Sequence, residues 1–391
     1  MNSAAVPQAK PNLMMPVAAL TLFAVASGLL MSALALSLAP QGLPASLASW
    51  LASAYFAGLL LGAMNIEPVV RALGHRQALA LFLALLLASV SLLPLMVSEP
   101  VWLLSRLLAG FASAGVFVVV ESWLLLSGNA RQRPRRLALY MTALYGGNAV
   151  GQASLQWLDS ASLVPMGAAM ALLLLALLLP LLTRPPVPRL ATHHKLGFKA
   201  LKRLHRPAVV GCVVAGMVLG PLYGLMPLYL ELRPGGSGYT GLWMASLILG
   251  GMLVQPLLTS LMAQWRHTLL LALFCLLGGV AALLLSLATT TVGVAVSLLM
   301  LGMAAFALYP ITVVMACQGQ AAFRIVSITE LMLLCFSLGS VVGPLVSDWG
   351  PNGLMALPVF FALLFGVTGV YLMLQPQDSA ERWLTEPPTE L

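Results

Sequence analysis

Twelve apolar segments, each long enough to cross a bilayer, predict an all-α integral membrane protein built as two pseudo-symmetric six-helix bundles. Three observations carry that prediction. The chain of 391 residues is 60% hydrophobic and only 8% charged, against roughly 25% charged in a soluble domain. Its basic residues fall almost entirely in alternate connecting segments. Its glycines recur at one fixed spacing between the two halves.

A helix needs about 20 apolar residues to cross the hydrocarbon core. Such runs fall near 14–39, 47–70, 78–97, 101–126, 136–158 and 162–183. A second set falls near 207–231, 238–262, 267–288, 291–317, 324–347 and 352–374. This places one bundle in residues 1–183, a basic cytoplasmic linker in 184–206, and a second bundle with a short cytoplasmic tail in 207–391. The apolar run after Lys10 continues to about Pro40, too long for the core of a cleaved signal peptide. The 34 glycines and 26 prolines spread through these runs suit helices packed in lipid.

The net charge of +8 does not point to nucleic acid, because of where it sits. With the N-terminus inside, the cytoplasmic segments hold Lys10, Arg71, Arg76, the arginines of 131–136, the basic linker, Arg266, Arg324 and Arg382. Of the 19 basic residues, only Arg106 within a span and Arg233 on the outer side stand apart. Positive-inside bias of this kind puts both termini in the cytoplasm. Trp50, Trp102, Trp123, Trp157, Trp243, Trp265 and Trp349 fall near span ends, as an aromatic belt requires. In the linker, Lys195, Lys199, Lys202 and Arg203 lie among leucines. That pattern suits membrane lipids with anionic headgroups, and a plain positive-inside loop explains the same charges.

A shift of 192 residues superposes Gly28 on Gly220, Gly58 on Gly250, Gly110 on Gly302, Gly147 on Gly339 and Gly151 on Gly343. At this glycine frequency, chance gives roughly one or two such matches. The halves therefore read as copies of one six-helix unit. Parallel repeats with a site between them near the midplane are the plan of alternating-access transporters.

The stretches Leu103–Trp123 (LLSRLLAGFASAGVFVVVESW), Gly220–Leu230 (GPLYGLMPLYL) and Phe306–Cys317 (FALYPITVVMAC) resemble the major facilitator superfamily, and look most like its YcaD-type bacterial subgroup. The resemblance covers nearly the whole chain. It implies the superfamily fold, alternating access and a bacterial inner-membrane location, without naming a substrate. The superfamily's signature between spans 2 and 3 survives in part, as Gly62 followed by Arg71-Ala72-Leu73-Gly74-His75-Arg76. Arg71 occupies the usual acid position and Glu67 is the nearest acid, so Glu67, Arg71, Gly74 and Arg76 are the candidate gating residues. The antiporter signature of span 5 reads Gly147-Asn148-Ala149-Val150-Gly151 and then has Gln152 in place of proline. Span 11 keeps Gly339-Ser340-Val341-Val342-Gly343-Pro344, which favours export.

Arg106 is the sharpest candidate, matching the superfamily's R-x-x-x-G span-4 motif with Gly110. A charge at bilayer depth costs about 2.5–3.5 kcal/mol on insertion scales, so it normally faces a cavity or a partner. It reads as a contact for a substrate anion or a modulator of a nearby carboxylate, against the plainer reading of a snorkelling side chain. Glu121 lies fifteen residues further along the same helix, about 22 Å away and within about 60° of the same face. The two can line one pathway but cannot pair. A carboxylate at that depth can exchange a proton near neutral pH. Glu121 is the candidate proton carrier, or else an inner-gate partner of the arginines of 131–136.

Glu330, roughly 9 Å along span 11 from Arg324, is a second titrating candidate or a gate partner. Glu67 and Arg71 stand four apart, the spacing of a local helix pair. Tyr223 and Tyr229 of span 7 and Tyr309 of span 10 neighbour Pro227 and Pro310, which are expected to break those helices where the backbone lines a cavity. With Asn148 and Gln152 they outline a mostly apolar cavity for an amphipathic small molecule, although packing accounts for each singly.

Cys212, Cys275, Cys317 and Cys335 lie in apolar runs without ligand spacing, and no histidine lies mid-span, so no metal or cofactor is expected. None of Lys10, Lys195, Lys199 and Lys202 follows a glycine, which disfavours a phosphate loop. No clustered acids or histidines suggest an enzyme. The expectation is a gradient-driven, proton-coupled carrier acting as a monomer. The alternatives are an importer of a small organic anion, or a receptor that keeps the transporter fold. In a background free of native cysteines, Lys10→Cys should react with an impermeant maleimide only from the cytoplasmic face and Gln41→Cys only from the outer face; the reverse pattern would overturn the topology.

Overall fold

In a computed structural model of the protein, residues 13–126, 133–159, 162–183, 205–233, 235–236, 238–320, 322–349 and 353–375 are described. They form helices α1 (Met14–Ser37), α2 (Leu47–Leu95), α3 (Glu99–Leu126), α4 (Arg133–Ser154), α5 (Val164–Leu182) and α6 (Arg206–Gly224). There follow α7 (Met226–Leu232), α8 (Thr240–Gln264), α9 (His267–Leu287), α10 (Thr291–Cys317), α11 (Ala322–Ser347) and α12 (Leu357–Met373). Short 3₁₀ turns follow α4 and precede α12. The basic linker expected at 184–206 lies outside the described residues except at its last two positions.

Ten of the described helices are long and apolar enough to cross a membrane. One of them, α2, has 49 residues and would reach about 73 Å if straight, more than twice a bilayer core. It folds back at Gly74, where φ is 73° and ψ 158°. Only glycine takes that conformation without strain. Spans 2 and 3 are therefore two legs joined with almost no loop. A further crossing is α4, less apolar than those ten, whose 22 residues are long enough at about 33 Å but carry Tyr140, Tyr145, Asn148 and Gln152. Twelve crossings result, and α4 is the polar one among them.

The two halves repeat the same close helix crossings. A methyl group added at Gly28 would meet the carbonyl oxygen of Asn148, and at Gly220 that of Ser340. Gly58 faces Leu107 O and Gly250 faces Leu299 O; Gly110 faces Tyr55 O and Gly302 faces Leu247 O. Gly151 meets Val25 O and Gly343 meets Met217 O. Each pair of partners is separated by the same 192 residues as the glycines themselves. The duplication read from glycine positions is thus a duplication of backbone-to-backbone contacts, α1 on α4 matching α6 on α11, and α2 on α3 matching α8 on α10.

Two sequence expectations are corrected and one is met. Pro310 does not break α10, which runs unbroken from Thr291 to Cys317. Span 7 does break, at Leu225, between Pro221 in α6 and Pro227 at the start of α7. The aromatic belt is smaller than expected. Trp102, Trp123 and Trp243 are core residues, with the indole N–H of Trp102 donating to Leu93 O and that of Trp243 to Thr291 O, both at 3.1 Å. Trp50, Trp157, Trp265 and Trp349 remain exposed. Arg233, the outlying cation, donates to Leu285 O and Ala288 O and so satisfies carbonyls left open at the end of α9.

Gly110→Ala should destabilise the detergent-solubilised protein by about 1–3 kcal/mol, because α2 and α3 must part to admit the methyl group. Gly366→Ala, which meets nothing within 4 Å, should be neutral. Equal melting temperatures for the two variants would show that the close crossing carries no stability.

Candidate functional site

Between the two sets of six crossings lies a cavity of about 830 Å³, walled by α1 to α5 on one side and by α6, α8, α10 and α11 on the other. The halves touch along α4 with α8 and along α2 with α11. Their polar contacts lie toward the end of the bundle that carries Asp348. There Ser53 Oγ donates to Val341 O at 2.7 Å and Ser49 Oγ to Asp348 Oδ2 at 3.1 Å. At the same end Gly224 packs on Ala52 and Gly241 on the backbone of Gln152.

Exposure along the lining runs in one direction. Leu34, Ala35, Ala48, Leu51 and Ala52, near the Asp348 end, are buried. Glu121, Leu137, Val314 and Leu333, near the Gly74 end, are exposed. The cavity is closed at the Asp348 end and open at the Gly74 end.

Arg106 reaches the cavity from α3, about 10 Å from the start of that helix. Its guanidinium carbon lies 4.5 Å above the centre of the Tyr55 ring. The glycine crossing explains this contact: Gly58 and Gly110 let α2 and α3 approach until Tyr55 lies beside Arg106. No carboxylate pairs with Arg106 among the described residues. Cation–π attraction contributes about 0.5–2 kcal/mol, and no hydrogen bond engages the guanidinium among the described residues.

Glu121 lines the open part of the cavity, and no hydrogen bond or ion pair reaches its carboxylate among the described residues. Tyr140 of α4 and Tyr309 of α10 lie within its electrostatic reach. Residues 131 and 132 lie outside the described residues, and Arg136 donates to Leu124 O at 3.2 Å. Tyr223, Tyr309 and Asn148 also line the cavity.

Other sequence candidates lie elsewhere. Gln152 is fully buried on the closed side, where its Oε1 accepts from Ser32 Oγ at 2.6 Å. Tyr229 is buried in α7, its ring centre 6.0 Å from the guanidinium carbon of Arg233. Glu330 is half-buried on α11 next to the lining residue Thr329 but is not itself in the wall.

The gating candidates surround the turn at Gly74. Glu67 and Arg71 form the helical pair their spacing implied, at 2.6 Å. Arg76 donates to Thr183 O at 3.2 Å, closing the C-terminus of α5.

Sequence reasoning missed Tyr55, Tyr140, Tyr145, Phe306 and Phe336, all in the wall. One signal was present: Tyr55 and Tyr145 stand well inside apolar runs, away from the interfaces that tyrosine prefers. Phe306 receives Tyr145 and Tyr223 edge-on, at 5.3 and 6.0 Å between ring centres.

The Major Facilitator Superfamily profile matches residues 17–344. The chain belongs to that superfamily. An uncharacterised MFS-type transporter of Enterobacter sp. strain 638 is 32% identical over 374 residues, covering 93% of this chain and 94% of the relative. The uncharacterised MFS-type transporter YcaD of Salmonella heidelberg strain SL476 is 30% identical over 372 residues, with the same coverage. Among solved structures, the nucleoside transporter NupG aligns with a TM-score of 0.75 at 12% identity, over 96% of this chain and 99% of that one. A D-xylose–proton symporter aligns at 0.71 and 15% identity, over 94% and 98%. At these identities the likeness is one of fold. The protein is thus a multi-pass membrane transporter of the superfamily and not an enzyme.

Arg106→Ala should reduce solute flux in liposomes to background while leaving the melting temperature within a few degrees of wild type. Arg106→Lys should restore only part of the flux, since an ammonium lacks the planar fork of donors. Full flux in the alanine variant would mean that the guanidinium only stacks on Tyr55.

Proposed function

We propose that the chain is a proton-coupled secondary transporter of a small amphipathic organic solute in the bacterial inner membrane, with both termini cytoplasmic. The observation that carries this reading is the cavity itself, which holds a cation at mid-depth, a carboxylate toward the open end, and apolar and aromatic walls between them. Charge asymmetry in the sequence supports a cytoplasmic Gly74 end, and with it an inward-facing state for the open cavity.

To face outward, the protein breaks the Ser53 and Ser49 bonds and brings α3 and α4 toward α10 and α11 at the Gly74 end. Glu121 borders the open part of the cavity now and would be enclosed then. A carboxylate that alternates between two such environments exchanges its proton between them, coupling proton movement to the conformational cycle.

Export is the proposed direction, supported by the Gly339–Pro344 signature in α11. Import of a small organic anion is the second reading, favoured by the lone cation Arg106. The glycines of both antiporter-type signatures serve the α1–α4 and α6–α11 crossings, a role common to either direction.

Glu121→Gln resembles the protonated acid but cannot titrate. It should support exchange between equal solute pools at near wild-type rate and fail at accumulation driven by a proton gradient. Exchange and uphill flux are to be compared in one liposome preparation. Retained accumulation, or equal loss of both activities, moves the carrier role away from Glu121.

A further inference from the structure

The polar groups of the cavity fall into two classes. Several are turned back onto their own helices: Asn148 Nδ2 donates to Leu144 O at 2.8 Å, Gln255 Nε2 to Gly251 O at 3.3 Å, and Thr329 Oγ1 to Ile325 O at 2.9 Å. The phenols of Tyr55, Tyr145 and Tyr223 make no hydrogen bond among the described residues, and the buried Ser113 hydroxyl in the same wall has no partner. A poly-hydroxylated solute needs many fixed donors and acceptors. Apart from the single hydroxyl of Ser113 and the distant carboxylate of Glu121, the free groups named here belong to aromatic rings and to Arg106.

The rings form one continuous surface. From Arg106 it runs through Tyr55 and its chain neighbour Phe56 to Tyr223, with Phe56 and Tyr223 at 6.4 Å between centres. From Tyr223 it passes to Phe306 and Tyr145, whose planes meet at 90° and 87°. Edge-to-face packing of this kind extends readily to one more planar ring. At the other end, the guanidinium over Tyr55 offers a fork of N–H donors that matches a planar oxyanion. Glu121, about 22 Å along the helix, is too far to serve as its counter-ion. A cation held in a partly dry cavity without a counter-ion is unfavourable, and an anionic solute relieves that.

Building on the transport reading, we infer that the solute is an aromatic organic anion, with its carboxylate or equivalent oxyanion on Arg106 and its ring against Tyr223, Phe306 and Tyr145. Thermal unfolding of the purified full-length protein tests this with naphthoate as the probe. The comparison ligands are naphthamide, which keeps the ring and removes the charge, decalin carboxylate, which keeps the charge and removes the aromaticity, and uridine.

Naphthoate should raise the melting temperature saturably and more than any of the others. Arg106→Gln should weaken naphthoate about tenfold or more, the scale of a charge-assisted hydrogen bond, and leave naphthamide unchanged. Phe306→Leu should weaken both aromatic compounds. If that variant misfolds, competition between naphthoate and decalin carboxylate on the wild-type protein gives the same discrimination. No stabilisation by naphthoate, or equal stabilisation by naphthamide, decalin carboxylate or uridine, overturns the assignment. Naphthoate binding without counterflow in liposomes would instead sink the transport reading and leave the ligand class standing.

Discussion

The structure depends on backbone surfaces that carry no side chain where helices cross. In lipid, helices gain little from hydrophobic contact with one another, so close van der Waals approach has to hold them. The glycines at 28, 58, 110 and 151, and their counterparts at 220, 250, 302 and 343, provide that approach. Each brings a helix within contact of a carbonyl oxygen on its neighbour. The crossings fix each half as a unit and leave the seam between the halves to smaller, mostly neutral contacts. They also place the chemistry, since the approach of α2 to α3 is what sets Tyr55 under Arg106.

That scaffold was legible because its signals are one-dimensional. Apolar length, the positions of basic residues and a repeated glycine spacing survive projection onto a linear sequence. The site was less legible because a lining residue is defined by the face it occupies, and a helix that is apolar all round gives no clue to its faces. Gln152 illustrates the limit. Its place one residue past Gly151 suggested the pathway, yet that face of α4 meets α1, where Ser32 engages it. Tyr229 lies beyond the break at Leu225, on a separate short helix and outside the cavity wall that Tyr223 joins. Pro310 shows the opposite error: a continuous α10 tolerates it, because a proline removes one hydrogen bond and neighbouring helices support the rest.

The charged residues separate by purpose. Arg233 and Arg76 close the ends of α9 and α5, and Arg71 pairs locally with Glu67. Arg106 and Glu121 have no such structural duty among the described residues, and both face the cavity. An intramembrane charge without a structural partner is expensive, and here the two such charges occupy one passage.

The closed end of the cavity is held lightly. Among the described residues two hydroxyl groups one turn apart on α2 reach across it: Ser53 donates to Val341 O, and Ser49 shares its one proton between Ser46 O and Asp348 Oδ2. Bonds of this kind are worth about 0.5–1.5 kcal/mol each in net terms, and 1.4 kcal/mol is about a tenfold change in population. These hydrogen bonds alone bias the two access states by about one to two orders of magnitude, beside the packing of Gly224 on Ala52 and of Gly241 on Gln152. A ligand shifts such an equilibrium by its preference for one state over the other. The polar part of this latch is therefore within reach of modest differences in binding.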